Sequence, residues 1–547
     1  MRISTRIGAI FVYALLFAGL VFAGGSEETA GSAPTTKATG VQLPESEIFA
    51  KYSPEITITF SGREGSGVKY PDGENMENNR WIDLLKEELG INIEYEWVVS
   101  SGTYAEKVNV IIASGDIPDA MYGINSLQLA KLVDADMVNT DLEAVYKSYV
   151  SPTLLKDYSH PGREGTFGAA TYNGKLAAFP YPFSALGQGA RTLVMRSDWM
   201  NDLGLSPPET HEEMFRIFDV MIEEKGATMA LLTNKDLGWL DPFFWSFGAY
   251  PKNWIKDSSG KIVYGSVQPE IKDALRQLNY MYEKGYLDPE FAAKDAGKAM
   301  EMLTSGKAIG LFDGWEPHGA RNMVEADPTV DFLTYPLPSP DGKPVMQIHP
   351  SFGNNFYVVR KGYEYPEAVM KMISYLAEET YGPEATGDFY TEYIQDFDIG
   401  IAPFTWGPWF CISVEKNYTT YKKLKANTPF DDLNAEEQWI SDTIDKWQAG
   451  DAKQWWMAKF FNPATSHYRI LDGVLSNNLY FADEFYGAPL PSMVEQKSMV
   501  DRIYLEMAMK MIMGEESIDR FDDYVKEMNN SGLAEITRDI NAWATNQ

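Results

Sequence analysis

The sequence has little cysteine and comparatively little positive charge. Only one cysteine, Cys411, occurs among 547 residues, which excludes an intramolecular disulfide and any metal site built from several cysteines. The 47 lysine and arginine residues are outnumbered by 78 aspartate and glutamate residues, so the formal net charge is -31. A nucleic-acid binder needs basic surface to displace counterions from phosphate, and anionic membranes attract the same basic residues. The composition therefore argues against both kinds of partner.

Catalytic and cofactor motifs are also missing from the sequence. The chain contains no G-x-S-x-G, H-E-x-x-H or P-loop sequence. Gly62, Gly65 and Gly67 follow a predicted strand, but their spacing is not that of the dinucleotide-binding fingerprint. The five histidines are scattered, without a pair at metal-ligand spacing. We therefore expect no metal, no cofactor and no catalytic residue, and paired carboxylates leave a secreted carbohydrate-active enzyme as the less favoured alternative.

The N-terminus has the three parts of a secretory signal peptide. Arg2 and Arg6 supply positive charge, residues 8–21 form an apolar run, and small residues precede a cleavage site after Ala23. The apolar run is shorter than the roughly 20 residues that span a bilayer, and a membrane anchor is the alternative. No cysteine follows the run, so the lipid-attachment site of a bacterial lipoprotein is absent. We expect a signal peptide at residues 1–23, a periplasmic or extracellular protein, and a net charge of -33 once the two arginines are removed.

Beyond a small, polar and flexible linker at residues 24–50, predicted strands and helices alternate. Runs of β-branched residues predict strands, and apolar residues at helical spacing predict helices. Such alternation is typical of an α/β protein with a parallel sheet whose two faces are covered. The predicted elements are strands at 56–60, 91–99, 120–122 and 193–196, helices at 78–89, 104–113 and 197–203, a helix opened by the capping box Thr210 to Glu213, and three C-terminal helices broken at Gly514 and Gly532.

Aromatic residues make up 13% of the sequence, and many stand in segments rich in glycine and proline. A sugar ring has a flat face of C–H groups, which an aromatic plane covers, and a rim of hydroxyl groups, which polar side chains bind. Loops at strand ends between two α/β lobes are where such residues converge. Packing in a core or between lobes is the alternative for each aromatic residue. The segments are 179–183, 241–245, 313–318 and 404–410.

Several runs carry a resemblance to a known family. They are 112–119, 172–176, 179–180, 196–199, 203–205, 208–210, 257–265, 282–291, 305–308 and 514–543. In this order and spacing the chain resembles the extracellular solute-binding proteins of ABC importers, family 1, in particular their large oligosaccharide-binding branch. The resemblance implies an α/β, two-lobed, periplasmic-binding-protein-like (type II) fold with crossing hinge strands and the ligand trapped between the lobes.

The resemblance also implies where the lobes begin and end. Its crossings fall near residues 185–191, 349–356 and 401–409. The implied division is an N-lobe of 51–185 and 351–402 and a C-lobe of 186–350 and 403–547, the last part with the C-terminal helices.

The predicted ligand-binding residues combine the resemblance with residue chemistry. The resemblance matches Trp315 to a tryptophan that stacks on sugar, makes Trp406 and Trp409 candidates, and places Tyr181 at the first crossing. Arg63 either contacts ligand or forms a surface ion pair, and Asn354 is either a ligand contact or a turn residue. The full set is Arg63, Tyr122, Tyr181, Trp245, Trp315, Glu316, His349, Asn354, Trp406 and Trp409.

The implied function is the capture of a carbohydrate, in particular an oligosaccharide, by hinge closure and its delivery to the membrane permease of an ABC importer. The expected protein is a monomer. A peptide or another solute as ligand is the alternative within the same fold. Many relatives carry a calcium loop after the helix that corresponds to residues 213–225, but this chain has Gly-Ala-Thr-Met there without carboxylates. We therefore expect no calcium at that position.

Overall fold

Helices and strands alternate through a chain whose computed structural model describes residues 38, 40–64, 70–159, 167–181, 191–313, 320–349, 355–390, 392–393 and 414–545. The strands are β1 (Ile56–Glu64), β2 (Ile91–Ser100), β3 (Ala120–Ile124), β4 (Thr171–Tyr172), β5 (Lys175–Leu176), β6 (Phe179–Pro180), β7 (Thr192–Arg196), β8 (Met229–Leu231), β9 (Trp254–Lys256), β10 (Ile262–Tyr264), β11 (Ala308–Asp313), β12 (Phe332–Tyr335), β13 (Gln347–His349), β14 (Phe356–Val359) and β15 (Tyr480–Ala482).

The α-helices follow the same chain order. They are α1 (Glu45–Ile48), α2 (Arg80–Leu89), α3 (Tyr104–Ser114), α4 (Ser126–Asp134), α5 (Glu143–Tyr149), α6 (Pro152–Tyr158), α7 (Ser197–Asp202), α8 (His211–Lys225), α9 (Asp241–Trp245), α10 (Ile271–Glu283), α11 (Ala296–Thr304), α12 (Ala320–Ala326), α13 (Glu367–Tyr381), α14 (Gly387–Tyr390), α15 (Val414–Lys425), α16 (Ala435–Gln448), α17 (Trp455–Phe461), α18 (His467–Ser476), α19 (Pro491–Ile512), α20 (Phe521–Met528) and α21 (Ala534–Thr545). Within the described ranges, none of these helices is long and apolar enough to cross a membrane.

The first sheet has the strand order β2-β1-β3-β14-β6. Strand β1 runs parallel to β2 and β3, whereas β14 runs antiparallel to β3 and β6. Helices α2 and α3 pack on β2, and α4 packs on β14, so that apolar side chains of the strands are removed from water. Helix α2 begins where the Asn79 side chain accepts hydrogen bonds from two backbone amides, and it ends at Gly90 in the left-handed conformation.

The second sheet has the strand order β12-β7-β11-β8. Strand β7 runs antiparallel to β11 and β12, and β11 runs parallel to β8. Apolar residues of α8, α10, α19 and α21 share one core with this sheet. Helix α8 begins with the predicted capping box, in which the Thr210 hydroxyl accepts from the Glu213 amide and the Glu213 carboxylate accepts from the Thr210 amide.

A layer of helices, α15 to α18, lies beside the second sheet and has a small apolar core of its own. Trp455 of α17 reaches out of this layer and packs against Val194 and Phe332 of the second sheet. The helical layer is therefore joined to the sheet by a buried aromatic ring.

Several local predictions are confirmed by the structure. The helix that ends at Gly90, the capping box and the helix breaks at Gly514 and Gly532 are all present. The parallel pairing expected of the strands at 56–60, 91–99 and 120–122 is confirmed, because β1 runs parallel to β2 and β3. Each sheet as a whole is mixed, because β14 and β7 run antiparallel to their neighbours. The first strand continues beyond its predicted end at residue 60, because its pairing with β2 resumes after a register shift and extends to Glu64.

Candidate functional site

One end of each sheet lies where the chain leaves that sheet for the other one. We call the N-edge the end of the first sheet that is formed by Glu64, Ser100, Ile124, Pro180 and Phe356. We call the C-edge the end of the second sheet that is formed by Thr192, Leu231, Asp313 and Tyr335.

Two connections join these edges, and they lie side by side at both ends. On the N-edge, the Tyr181 amide donates to the Asn355 carbonyl at 2.9 Å. On the C-edge, the Gln347 side chain accepts from the Arg191 amide at 2.8 Å and donates to the Arg191 carbonyl at 3.1 Å. The step from His349 to Asn355 is six residues, which an extended chain spans in about 20 Å at most. His349 at the C-edge and Asn355 at the N-edge therefore lie within about 20 Å of each other.

The N-edge carries a cluster of aromatic rings around Arg63. The Tyr104 ring centroid lies 5.4 Å from that of Trp97 and 5.9 Å from that of Tyr122. The Arg63 guanidinium lies 5.8 Å from the Tyr104 ring centroid, and the Tyr122 hydroxyl donates to the Arg63 carbonyl at 3.3 Å. The structure thus brings the predicted residues Arg63 and Tyr122 together. Tyr122 is only 1% exposed, so it contacts Arg63 from inside the protein and not from the surface.

A second aromatic pair lies at the far side of the N-edge. Tyr181 stacks on Tyr357 with ring centroids 5.3 Å apart and an interplanar angle of 24°. Tyr181 is buried, and it follows directly after β6. The predicted residue Tyr181 therefore lies at the start of a connection between the edges, on the same sheet as Arg63 but on strand β6 rather than β1.

The C-edge carries four charged side chains, which we call the C-edge charge cluster: Arg191, Asp313, Asp241 and Lys252. Arg191 pairs with Asp313 at 3.0 Å, and Lys252 pairs with Asp241 at 3.4 Å. Burial raises the pKa of the Asp241 carboxyl, and the positive charges of Lys252 and Arg191 act against this. The cluster thus contains two cations and two carboxylates that compensate one another.

Two polar residues of the C-edge were missed by the sequence analysis. Thr233 and Asn234 follow β8 after one intervening residue, Leu232, and lie level with the end of β11, since Gly310 pairs with Leu231. Both are buried, at 1% and 6% exposure. Within the described ranges, the Thr233 hydroxyl and the Asn234 Oδ1 atom have no hydrogen-bond partner. Buried polar atoms normally have partners, so these two are candidates for ligand contacts.

Trp245 is a predicted ligand residue near the C-edge. The segment 241–245 forms the short helix α9 with Pro242 in its first turn, so the expectation of a loop there is wrong. Helix α9 packs against β13, which lies next to Arg191. Trp245 is 7% exposed, and its indole Nε1 is buried without a hydrogen-bond partner in the part of the chain that the structure describes.

His211 fixes the position of α9. Its ring stacks on Phe243 with centroids 4.7 Å apart, and its Nε2 atom lies 3.0 Å from the Ser246 hydroxyl and 3.2 Å from the Pro338 carbonyl. The Nδ1 atom is buried with no partner among the described residues. Burial lowers the pKa of His211 to about 4, although the Pro338 carbonyl raises it somewhat.

The buried imidazole predicts a dependence of stability on pH. Between pH 6.5 and pH 4 the unfolded histidine binds a proton and the folded one does not, so the contribution is complete above pH 6.5 and falls with the pH. At pH 5.5 we expect wild type to have lost about 1.4 kcal/mol from this group. His211→Gln keeps a donor near the Nε2 position but does not titrate. Urea unfolding of both proteins from pH 5 to 7.5 measures the difference, and parallel curves would contradict the assignment.

The remaining predicted ligand residues lie outside what the structure describes in full. Trp315, Glu316, Asn354, Trp406 and Trp409 lie outside the described residues, and His349 is described only as the last residue of β13.

No group of three or more histidine, cysteine, aspartate or glutamate side chains is placed to hold a metal ion among the described residues. The segment after α8 begins with Gly226 in the left-handed conformation and leads directly into β8. It contains no aspartate or glutamate before Met229.

Comparisons with known proteins identify the kind of protein. The family model of bacterial extracellular solute-binding proteins matches residues 72–383, more than half of the chain. The polygalacturonan/rhamnogalacturonan-binding protein YtcQ of Bacillus subtilis is 24% identical over 262 residues, which are 45% of this chain and 47% of YtcQ. The fructooligosaccharide ABC transporter substrate-binding protein FusA of Streptococcus pneumoniae is 22% identical over 332 residues, 57% of this chain and 58% of FusA. The matches thus span about half the length of these relatives.

The fold is shown by a solved structure. The alginate-binding protein AlgQ2 without calcium superimposes with a TM-score of 0.62 at 15% sequence identity, over 91% of this chain and 99% of AlgQ2. The two-lobed, periplasmic-binding-protein-like fold expected from the sequence is therefore confirmed.

Proposed function

We propose that this chain, which belongs to the family of bacterial extracellular solute-binding proteins, captures an oligosaccharide between its N-edge and C-edge and delivers it to an ABC permease. The observation that supports the proposal is an aromatic cluster at the N-edge together with buried polar atoms at the C-edge that have no partner among the described residues. Aromatic faces cover the C–H face of a sugar, and polar atoms bind its hydroxyl groups. The relatives YtcQ and FusA are named as carbohydrate binders, which supports the same ligand class.

Capture works through the relative positions of the two lobes. A ligand that contacts both edges stabilises the arrangement in which the edges are close, because only that arrangement offers both sets of contacts. The proposed lobes are residues 51–185 with 351–402 and residues 186–350 with 403–547. The closed arrangement is the one that docks on the permease, and the protein acts there as a monomeric binding protein rather than as an enzyme.

Export follows from the same proposal. A member of this family acts outside the cytoplasm. We propose that residues 1–23 are the signal that directs export.

Calorimetric titration of residues 24–547 tests the function. The panel contains 1-kestose, nystose, maltotetraose, xylotetraose, cellotetraose, trigalacturonate and a pool of tetrapeptides. Saturable one-to-one binding of an oligosaccharide, with no binding of peptides, is the expected result. Binding of peptides alone would show that the ligand is a peptide and not an oligosaccharide. Release of reducing sugar from a polysaccharide would favour the enzyme alternative.

Thr233 and Asn234 offer a sharper test of the site. Thr233→Val and Asn234→Leu keep the side-chain shape but remove the polar atoms. Each variant is expected to weaken oligosaccharide binding about tenfold, because a sugar hydroxyl loses a hydrogen bond of about 1.4 kcal/mol. The unfolding midpoint of Thr233→Val should stay the same or rise, because the removed hydroxyl has no protein partner in the described ranges.

The matched control for these variants is Thr59→Val. The Thr59 hydroxyl donates to the Asp119 carboxylate at 2.9 Å, so this variant should lower stability by about 1 kcal/mol and leave binding unchanged. The role of Thr233 and Asn234 is refuted if their variants behave like the control.

A further inference from the structure

The chain folds back over the end of the second sheet after β8. We call residues 232–240 the C-edge turn, because they follow β8 at the C-edge. The Leu237 amide donates to the Asn234 carbonyl at 3.1 Å, and the Leu240 amide donates to the Leu237 carbonyl at 2.9 Å. The turn ends in a 3₁₀ helix, Gly238–Leu240, which packs against the inner strand β11. The C-edge turn therefore reaches beyond β8 and lies over the end of the sheet.

The C-edge turn crosses from one face of the second sheet to the other. Along β7, Val194 faces one apolar core while Leu193 and Met195 face another, because neighbouring side chains of a strand point to opposite faces. Trp239 packs against the core of Val194, whereas Leu240 belongs to the core of Leu193 and Met195. Two adjacent residues that reach opposite faces place the backbone between them at the end of the sheet.

The Trp239 ring is accessible and has no aromatic neighbour. It is half-buried and follows Gly238, where an added Cβ atom would meet no atom within 4 Å. Trp97 and Trp254, by contrast, pack on tyrosine rings with centroids 5.4 Å and 4.9 Å apart. Within the described ranges, Trp239 makes no ring contact, cation contact or hydrogen bond. Since Trp245 belongs to the buried core, Trp239 is the indole of this segment with a face open to a ligand.

Trp239 lies close to the buried polar atoms of the same turn. The Thr233 hydroxyl and the Asn234 Oδ1 atom have no hydrogen-bond partner among the described residues. The ends of each of the two hydrogen-bonded turns lie less than about 7 Å apart, so Asn234 and Trp239 lie within about 14 Å of each other. A sugar needs an apolar face for its C–H groups and polar atoms for its hydroxyl groups, and one turn supplies both.

We infer that Trp239 stacks on a sugar ring of the captured oligosaccharide, while Thr233 and Asn234 bind hydroxyl groups at the same end of the ligand. The inference rests on the proposed function and deepens it, because it assigns the aromatic contact of the C-edge to a residue that the sequence analysis did not select. An indole suits this role because it offers a large flat surface and has few conformations to lose on binding.

Hydroxyl-radical footprinting of the wild-type protein tests the contact without any substitution. Oxidation of Trp239 and Trp447 is read by mass spectrometry, with and without a saturating amount of the panel oligosaccharide that binds best. Trp239 is expected to be oxidised about fivefold more slowly in the bound protein, because a ligand site covers most of the surface in contact. Trp447 is the internal control, since it is half-buried against the same core but lies in α16, and its oxidation should not change. Equal oxidation of Trp239 in both samples would overturn the inference.

Variants measure how much the contact contributes to affinity. Trp239→Ala is expected to weaken binding of the same oligosaccharide about 30-fold, the loss typical of a tryptophan at the centre of a binding surface. Trp239→Phe keeps an aromatic face, so its Kd should stay within about fivefold of wild type. Trp447→Ala removes a ring that packs against the same core and lies 4.9 Å from the Lys459 Nζ atom, and it should leave the Kd unchanged.

The outcomes separate this inference from the proposed function. A folded Trp239→Ala protein with wild-type affinity would contradict the inference and leave the proposed function standing. Equal losses of affinity in Trp239→Ala and Trp447→Ala would also refute it, because they would reflect weakened packing of the shared core. If the wild-type protein binds no oligosaccharide of the panel, the proposed function fails and the inference fails with it.

Discussion

Gly310→Ala is expected to lower the thermal midpoint of the protein by roughly 6–12 °C, the shift that corresponds to about 3 kcal/mol in a lobe of this size. Gly310 lies in β11, where it pairs with Met195 of β7 and Leu231 of β8. A Cβ atom at this position would lie 1.9 Å from the Val194 carbonyl oxygen. Backbone atoms between paired strands cannot move aside like a flexible side chain, so the two strands must separate.

The control for this variant is Gly473→Ala. Gly473 lies inside α18, and a Cβ atom there would have no neighbour within 4 Å. Alanine favours a helix over glycine by about 0.5–1 kcal/mol, so the control should raise the midpoint slightly. Differential scanning calorimetry of both variants measures the contrast. Equal midpoints would show that β7 and β11 are not packed as closely as the structure has them.

Asp331→Ala is expected to destabilise the protein by about 3 kcal/mol, because it leaves a buried lysine without its carboxylate. The Asp331 carboxylate accepts hydrogen bonds from the Trp455 indole at 2.7 Å and from the Ser197 hydroxyl at 2.8 Å. It also pairs at 2.9 Å with Lys459, whose side chain is 6% exposed. These contacts hold α17, and with it the helical layer α15 to α18, against the second sheet.

A double variant separates the buried charge from lost packing. In Asp331→Ala with Lys459→Met the buried cation is gone too, so most of the lost stability should return. Asp341→Ala is the exposed comparison: its pair with Lys343 has side chains 55% and 80% exposed, so the variant should be nearly as stable as wild type. Urea unfolding of the four proteins gives the free energies. A double variant as unstable as the single one would contradict the account.

Local sequence signals predicted the elements because local chemistry decides where they begin and end. Asn79 begins helix α2 because its side chain accepts hydrogen bonds from free backbone amides, and Gly90 ends the helix because it adopts the left-handed conformation. Both effects are local to the residue. Whether a strand pairs parallel or antiparallel with its neighbours depends on where a distant part of the chain enters the sheet. The antiparallel entry of β14 is set by a connection that starts more than 150 residues after β6, and no local pattern encodes it.

The candidate site could be predicted only in part for the same reason. Arg63 and Tyr122 could be proposed because Arg63 follows the predicted strand 56–60 and Tyr122 ends the predicted strand 120–122. Thr233 and Asn234 were missed because β8 is short; the run Met229 to Leu232 followed by two polar residues was the available signal. Trp245 was assigned to a loop because a five-residue helix depends on the packing of Phe243 and His211, which the sequence does not display.

Hydrogen–deuterium exchange with and without a saturating oligosaccharide tests the central claim most directly, because it reports which parts of the chain the ligand orders. The account predicts slower exchange in the bound protein at the N-edge, in residues 95–104 and 120–124, and at the C-edge, in residues 231–235 and 308–313. Residues 414–476 and 491–545 should exchange as in the free protein. Protection confined to one edge, or found only in the C-terminal helices, would contradict capture between the two lobes.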